Sequence, residues 1–167
     1  MGNLWPSIPA PALFNACGAG DAAAVSRLLP PLNLSGPRFQ APDTMTTPLI
    51  VAAWCGYTEI VRLLLERAPN TTVDSVDASR LHGATSVGFT ALAVAAQFHH
   101  ADVIRLLADR GASVGVSDQR QSSPLCLAVE ALPPTAPPRD PDPDGARQLS
   151  TVKALLQLGA GTLRNSF

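Results

Sequence analysis

Neither sign of charge dominates this chain. Its 12 Lys and Arg stand against 13 Asp and Glu, for a net charge of −1. Surfaces that hold nucleic acid or anionic lipid need a basic excess, so neither partner is expected. Long hydrophobic runs are also missing. No stretch approaches the roughly 20 apolar residues of a membrane-spanning helix. The three cysteines, Cys17, Cys55 and Cys126, are far apart and odd in number. That pattern excludes a disulfide framework and fits a reduced compartment, so a cytoplasmic or nuclear protein is expected.

Targeting signals are equally absent. The opening "MGNLWPSIPAPAL" has no basic segment followed by an apolar core, so no signal peptide is expected. Met1-Gly2 begins a myristoylation pattern, but Pro6 stands where that pattern needs Ser or Thr. Without a secretion signal, the N-x-[ST] matches at Asn33 and Asn70 are chance.

Catalytic constellations are missing as well. There is no phosphate-binding G-x-x-x-x-G-K-[ST] loop and no G-x-S-x-G elbow. No Cys or His spacing matches a zinc site. His99 and His100 are adjacent, so on a helix end they point about 100° apart and cannot work as a pair. Cys17, Cys55 and His82 read as structural or merely exposed. Neither an enzyme nor a cofactor is expected.

What is present is an apolar chain with order in it. Of its 167 residues 46% are hydrophobic and 15% charged, enough for a sizeable core. The stretch "TTPLIVAAWCGYTEIVRLLLER", 46–67, sets the pattern. Thr47 can cap a helix whose first turn holds Pro48, where the missing N–H costs nothing. Leu49, Ala52 and Ala53 give that helix one buried face. Gly56 suits a left-handed helix end. Thr58 can cap a second helix, striped by Ile60, Val61, Leu64 and Leu65. Together they predict a helix–turn–helix hairpin whose alanines let the two helices approach closely.

The hairpin recurs. "FTALAVAAQFHHADVIRLLADRGASV" at 89–114 follows it position for position, with Leu92 for Leu49 and Ala95-Ala96 for Ala52-Ala53. "SSPLCLAVE" at 122–130 restarts it, and its second helix arrives late, as "STVKALLQLGAG" at 150–161. "PALFNACGAGDAAAVSRLL" at 11–29 is a weaker copy. The matching leucines, Leu13, Leu49, Leu92 and Leu125, are 36, 43 and 33 residues apart. The ankyrin period is about 33. On the Thr47-Pro48-Leu49 motif, its copies and the "RGASV" ending at 110–114, the chain resembles an ankyrin-repeat protein.

That resemblance implies an all-α solenoid of about four helix-turn-helix units with β-turn fingers between them. The units cover about 11–32, 46–67, 89–114 and 122–161. A disordered segment, 1–10, precedes them and a tail, 162–167, follows. Segment 115–121, "GVSDQRQ", fits one finger, with Asp118 at a turn-favouring position. The 43-residue spacing leaves an insert at 68–88, read either as an extended finger or as a tolerated loop. A Pro-rich insert, 132–148, splits the last hairpin and reads as an exposed spacer. Within it, Pro134–Arg139 has the P-x-x-P form followed by Arg, a weak ligand for SH3 domains. The His that usually follows "TPL" in the family, and ties a turn to its neighbour, is replaced by Phe14, Ile50, Ala93 and Cys126.

The resemblance also implies a monomer that binds a protein partner on a concave surface. The two residues after each Ala-Ala pair, Trp54-Cys55 and Gln97-Phe98, correspond to positions most often given to partners. So do the residues before the caps, Thr46, Phe89 and Ser122. Gln119 and Arg120 are candidate finger contacts. Trp54 and Phe98 also stand out on their own, because large aromatics beside a turn are candidate hot spots. Tyr57 is expected to pack within its turn.

A narrower similarity concerns 46–66 with its long insert and the "HGATSVGFTALAVAA" restart. This pairing is similar to the N-terminal array of the Fem ankyrin family, receptors of cullin ubiquitin ligases that recognise the C-terminal ends of target chains. The further repeats and ligase-docking segment of that family have no counterpart here, so no degron-binding residue is carried over. Three functions follow: a scaffold that binds proteins, a substrate-recognition part of a ubiquitin ligase, or a steric inhibitor of a partner enzyme.

Overall fold

In the computed structural model the described residues are 10–29, 47–67, 90–115, 123–130 and 145–160. Among them are eight α-helices, paired as four hairpins: α1 (Ala10–Ala19) with α2 (Ala22–Leu28), α3 (Pro48–Cys55) with α4 (Thr58–Arg67), α5 (Ala91–Gln97) with α6 (Ala101–Asp109), and α7 (Pro124–Val129) with α8 (Ala146–Gln157). The first helices α1, α3, α5 and α7 pack in order as one layer, and α2, α4, α6 and α8 as a second. This is the all-α solenoid that the repeats predict. The insert 68–88, residues 131–144 with the SH3-type motif, the finger beyond Gly115, and the terminal segments 1–9 and 161–167 lie outside the described residues.

The local causes are legible helix by helix. Thr47 and Ser123 are extended, and their hydroxyls accept from the N–H groups of Ile50 and Cys126, each at 3.3 Å. A proline follows each cap at a position where no amide is needed. Thr90 caps α5 the same way at 3.2 Å, and the Asp21 carboxylate caps α2 at 2.8 Å. Isolated helices of six to twelve residues are marginal in water. Stacking is what makes them stable, through one core that runs across the four hairpins. Leu13, Leu49 and Leu92 are buried at matching positions, and Ala52, Ala53, Ala95 and Ala96 are fully buried between first helices. Each large side chain removed from water this way contributes about 1.5–3 kcal/mol.

Neighbouring hairpins are also tied at their turns. Gly20 and Gly56 take left-handed φ values of 78° and 74°. A β-carbon on Gly20 would stand 2.7 Å from the Tyr57 ring, and one on Gly56 would stand 2.5 Å from the His100 imidazole. Each ring therefore lies on the preceding turn, in space that only glycine leaves open. The Tyr57 hydroxyl donates to the Gly18 carbonyl at 3.5 Å, and His100 Nε2 donates to the Trp54 carbonyl at 2.9 Å. The family's usual His is missing, but ties between neighbours form here at the opposite end of the first helix.

The fourth unit closes differently. At the turn position of the third unit stands His99, with a left-handed φ of 60° and a side chain of its own. Gln148 Nε2 instead donates to the carbonyls of Ala128 and Val129, at 3.1 and 3.4 Å, and satisfies the end of α7. The far end of α8 repeats that of α6: Ala160 N–H donates to the Leu155 carbonyl at 2.9 Å, as Ala112 N–H does to Leu107 at 3.0 Å.

Four expectations need correction. The helix α8 starts at Ala146, so the last three residues of the expected 132–148 insert are helical. The first helix takes in Ala10, which was expected to belong to the disordered segment 1–10. Thr58 is the first residue inside α4 and not a cap ahead of it. His99 and His100 lie in a turn, with His100 at the N-cap of α6. Their separate directions come from the backbone of that turn and not from a helix.

Candidate functional site

The C-terminal ends of the first helices place one equivalent residue per hairpin side by side: Gly18, Trp54, Gln97 and Glu130. The next position holds Ala19, Cys55 and Phe98. Of the sequence-derived candidates, the structure brings together Trp54 and Phe98, from successive hairpins. Their ring centroids are 6.0 Å apart with planes at 61°, an edge-on contact. Such pairs contribute about 0.5–1.5 kcal/mol beyond burial. Both rings are half-buried and rest on the edge of the core. Cys55 and Gln97 are half-buried beside them, with Cys55 Sγ 4.0 Å from the Gly18 carbonyl oxygen. Thr46, Phe89, Gln119, Arg120 and Ser122 lie outside the described residues.

The turns set where these side chains stand. Because Gly56 ends α3 in the left-handed region, Trp54 and Cys55 lie in the last turn before a sharp reversal. Phe98 is the C-cap of α5, one step before the left-handed His99. Gly18 is exposed, and a β-carbon there would meet only Val51 Cγ1, at 3.9 Å.

Charge is sorted between the two helix layers. None of the four first helices carries a charged side chain. The second helices and the C-cap of α6 hold the ion pairs Arg62–Glu59, Arg105–Asp102 and Arg110–Glu66, at 3.5, 3.1 and 3.6 Å. Arg67 reaches from α4 to the carbonyl and hydroxyl oxygens of Ser26 at the end of α2, at 3.4 and 3.3 Å.

Nucleophile and acid–base chemistry find little support. Burial, with a smaller effect of Cys55 beside it, pushes the Cys17 thiol up to about 12, so it stays protonated and inert. Burial likewise lowers the pKa of His100, against the opposing effect of its hydrogen bond to Trp54. A polar cleft beside the turns is lined by Thr58, His99, His100, Asp102, Arg147 and Ser150. Among the described residues no cluster of three His, Cys, Asp or Glu could hold a metal, and no helix is long and apolar enough to cross a membrane.

Sequence reasoning missed the bond from His100 to the Trp54 backbone. The available signal was that Tyr57 and His100 occupy the same repeat position, just after the turn residue. Both can donate a hydrogen bond from a ring.

Comparison with known proteins agrees with the repeat geometry. A family model described as "Ankyrin repeats (3 copies)" matches residues 9–77, and one described as "Ankyrin repeat" matches 87–119. The chain is similar to the Drosophila melanogaster "Ankyrin repeat and KH domain-containing protein mask", 37% identical over 114 residues. It is also similar to the Homo sapiens "Ankyrin repeat and KH domain-containing protein 1", 36% identical over 113 residues. Each alignment covers 68% of this chain but only 3% and 4% of those proteins, so the chain spans a small part of their length.

Proposed function

This chain belongs to the ankyrin-repeat family, and on that premise we propose that it binds a partner protein through the ends of its first helices, centred on Trp54 and Phe98. Ankyrin repeats are protein–protein interaction modules, and a stack of hairpins presents a continuous surface for that purpose. The observation that carries the reading is the aromatic pair itself. Two large rings from different hairpins meet at 6.0 Å, each packed on the core yet still partly open to solvent. Binding energy concentrates on such anchors, because an aromatic offers much apolar area with few rotamers to freeze.

Affinity capture from a matched cell lysate, read by mass spectrometry, tests this. Wild type is run beside a Trp54→Ala/Phe98→Ala variant whose circular dichroism shows it folded. A partner held by wild type and lost by the variant supports the site. Partners held equally by both place the binding surface elsewhere on the chain.

A further inference from the structure

We propose that the outer face of the last hairpin, α7 with α8, is a contact surface for a second copy of this chain, which docks through the same hairpin to form a closed twofold dimer. This departs from the monomer that the repeat resemblance implies, and it does not use the Trp54–Phe98 face.

The first observation is where open apolar surface lies. Among the described residues the exposed large hydrophobic side chains are Val129, Leu149 and Leu156, at 58%, 55% and 53%, and all three belong to this one hairpin. Exposed apolar groups gathered in this way mark interaction surfaces. The repeat shows position by position that this is a stacking face. Val129 holds the place of Cys17, Ala53 and Ala96, each fully buried. Cys126 is exposed where Ile50 and Ala93 are buried. Leu156 holds the place of the buried Leu29 and Leu65. In each earlier unit the following hairpin packs alongside, first helix on first helix and second on second. The face of α7 and α8 continues that interface, with the same positions left bare.

The second observation selects the occupant. The other end of the stack offers no matching surface. On the hairpin of α1 and α2 the exposed residues are Asn15, Gly18, Ala19, Asp21, Ala23 and Arg27, with no large apolar side chain among them. Head-to-tail stacking of copies would set Val129, Leu149 and Leu156 against small and polar groups. Tail-to-tail stacking instead sets each apolar face on its twin. One patch then serves both partners, and growth stops at two. The cover is again an α-helical hairpin, as at every earlier interface of the stack. Three large side chains make a small contact, so the dimer is weak and dissociates on dilution.

The experiment is sedimentation equilibrium on the full chain between about 1 and about 300 µM. The variants are Leu156→Glu and Val129→Glu, one on each helix of the face, with Ala23→Glu at the opposite end and Trp54→Ala/Phe98→Ala as controls. Circular dichroism checks that each is folded. The expected mass rises from the 17.4 kDa of one chain toward twice that value and no further. Both face variants should raise the dissociation constant at least roughly tenfold, and neither control should move it. In wild type, hydrogen exchange over 124–130 and 146–157 should slow as concentration rises, a readout that needs no variant.

A mass of one chain at every concentration would overturn the proposal, and so would growth past two chains, which is head-to-tail stacking. A dimer kept by both face variants would overturn it as well. If the dimer were lost only in Trp54→Ala/Phe98→Ala, the second copy would sit on the aromatic face and the proposal would fall.

Discussion

His100 donates a hydrogen bond to the Trp54 carbonyl at 2.9 Å, across two hairpins. Its ring occupies the space above Gly56 that a β-carbon would take. The end of the helix that carries Trp54 is therefore held from the neighbouring unit, and the proposed binding face is tied to the stacking that stabilises the chain.

Gly56→Ala should be among the more damaging single changes. It combines a left-handed φ of 74° with a β-carbon 2.5 Å from the imidazole. The conformational part alone costs about 1–2 kcal/mol, so a total of at least about 2 kcal/mol is expected from urea unfolding. Gly111→Ala shares the left-handed backbone but meets nothing within 4 Å. It should show only the conformational cost.

The same contact makes stability depend on pH. Burial lowers the His100 pKa in the folded chain, while the unfolded imidazole keeps its ordinary value near about 6.5. Below that value the unfolded state binds more protons, so stability falls as pH drops and levels off beneath the folded pKa. Arg147 on α8 and His99 on its own turn oppose its protonation, and Asp102 lines the same cleft. Urea midpoints at about pH 7.5 and about pH 5.5 should differ in wild type, and differ less in His100→Tyr, which restores the ring used at Tyr57.

Thr151 offers a stabilising change. It is fully buried, and its hydroxyl has no hydrogen-bond partner. The equivalent residue of α6 is the buried Val103. Thr151→Val keeps the shape and removes the unsatisfied group, so a gain of about 1 kcal/mol is expected, read as a raised thermal midpoint.

Matched positions should respond according to whether a next hairpin covers them. Leu65 on α4 is 6% exposed, whereas Leu156, its counterpart on α8, is 53% exposed. Leu65→Ala should cost about 2–5 kcal/mol and Leu156→Ala less than about 1 kcal/mol, by denaturant unfolding. Equal costs would show that Leu156 is covered in solution.

Much of this fold was legible because its determinants are local. Thr47-Pro48 and Ser123-Pro124 announce helix starts in two adjacent residues, and Leu49 and Leu92 mark buried faces by spacing alone. What depends on stacking was not legible. Tyr57 and Gly18, or His100 and Trp54, lie about 40 residues apart and meet only once the hairpins are assembled. The start of α8 was hidden for a related reason. Gly145-Ala146 carries no proline or polar cap to signal a helix, and Gln148 finds its role only against the end of α7. Trp54 and Phe98 were identifiable singly, as large rings beside turns. Their contact was not, because it joins two units.

The most direct test of the central claim is hydrogen exchange on the chain with and without its captured partner. Protein binding at the first-helix ends predicts slowed exchange on peptides that cover 54–57 and 97–100, with α4, α6 and α8 little changed. Protection confined to the second helices, with those two turns unaffected, would contradict it.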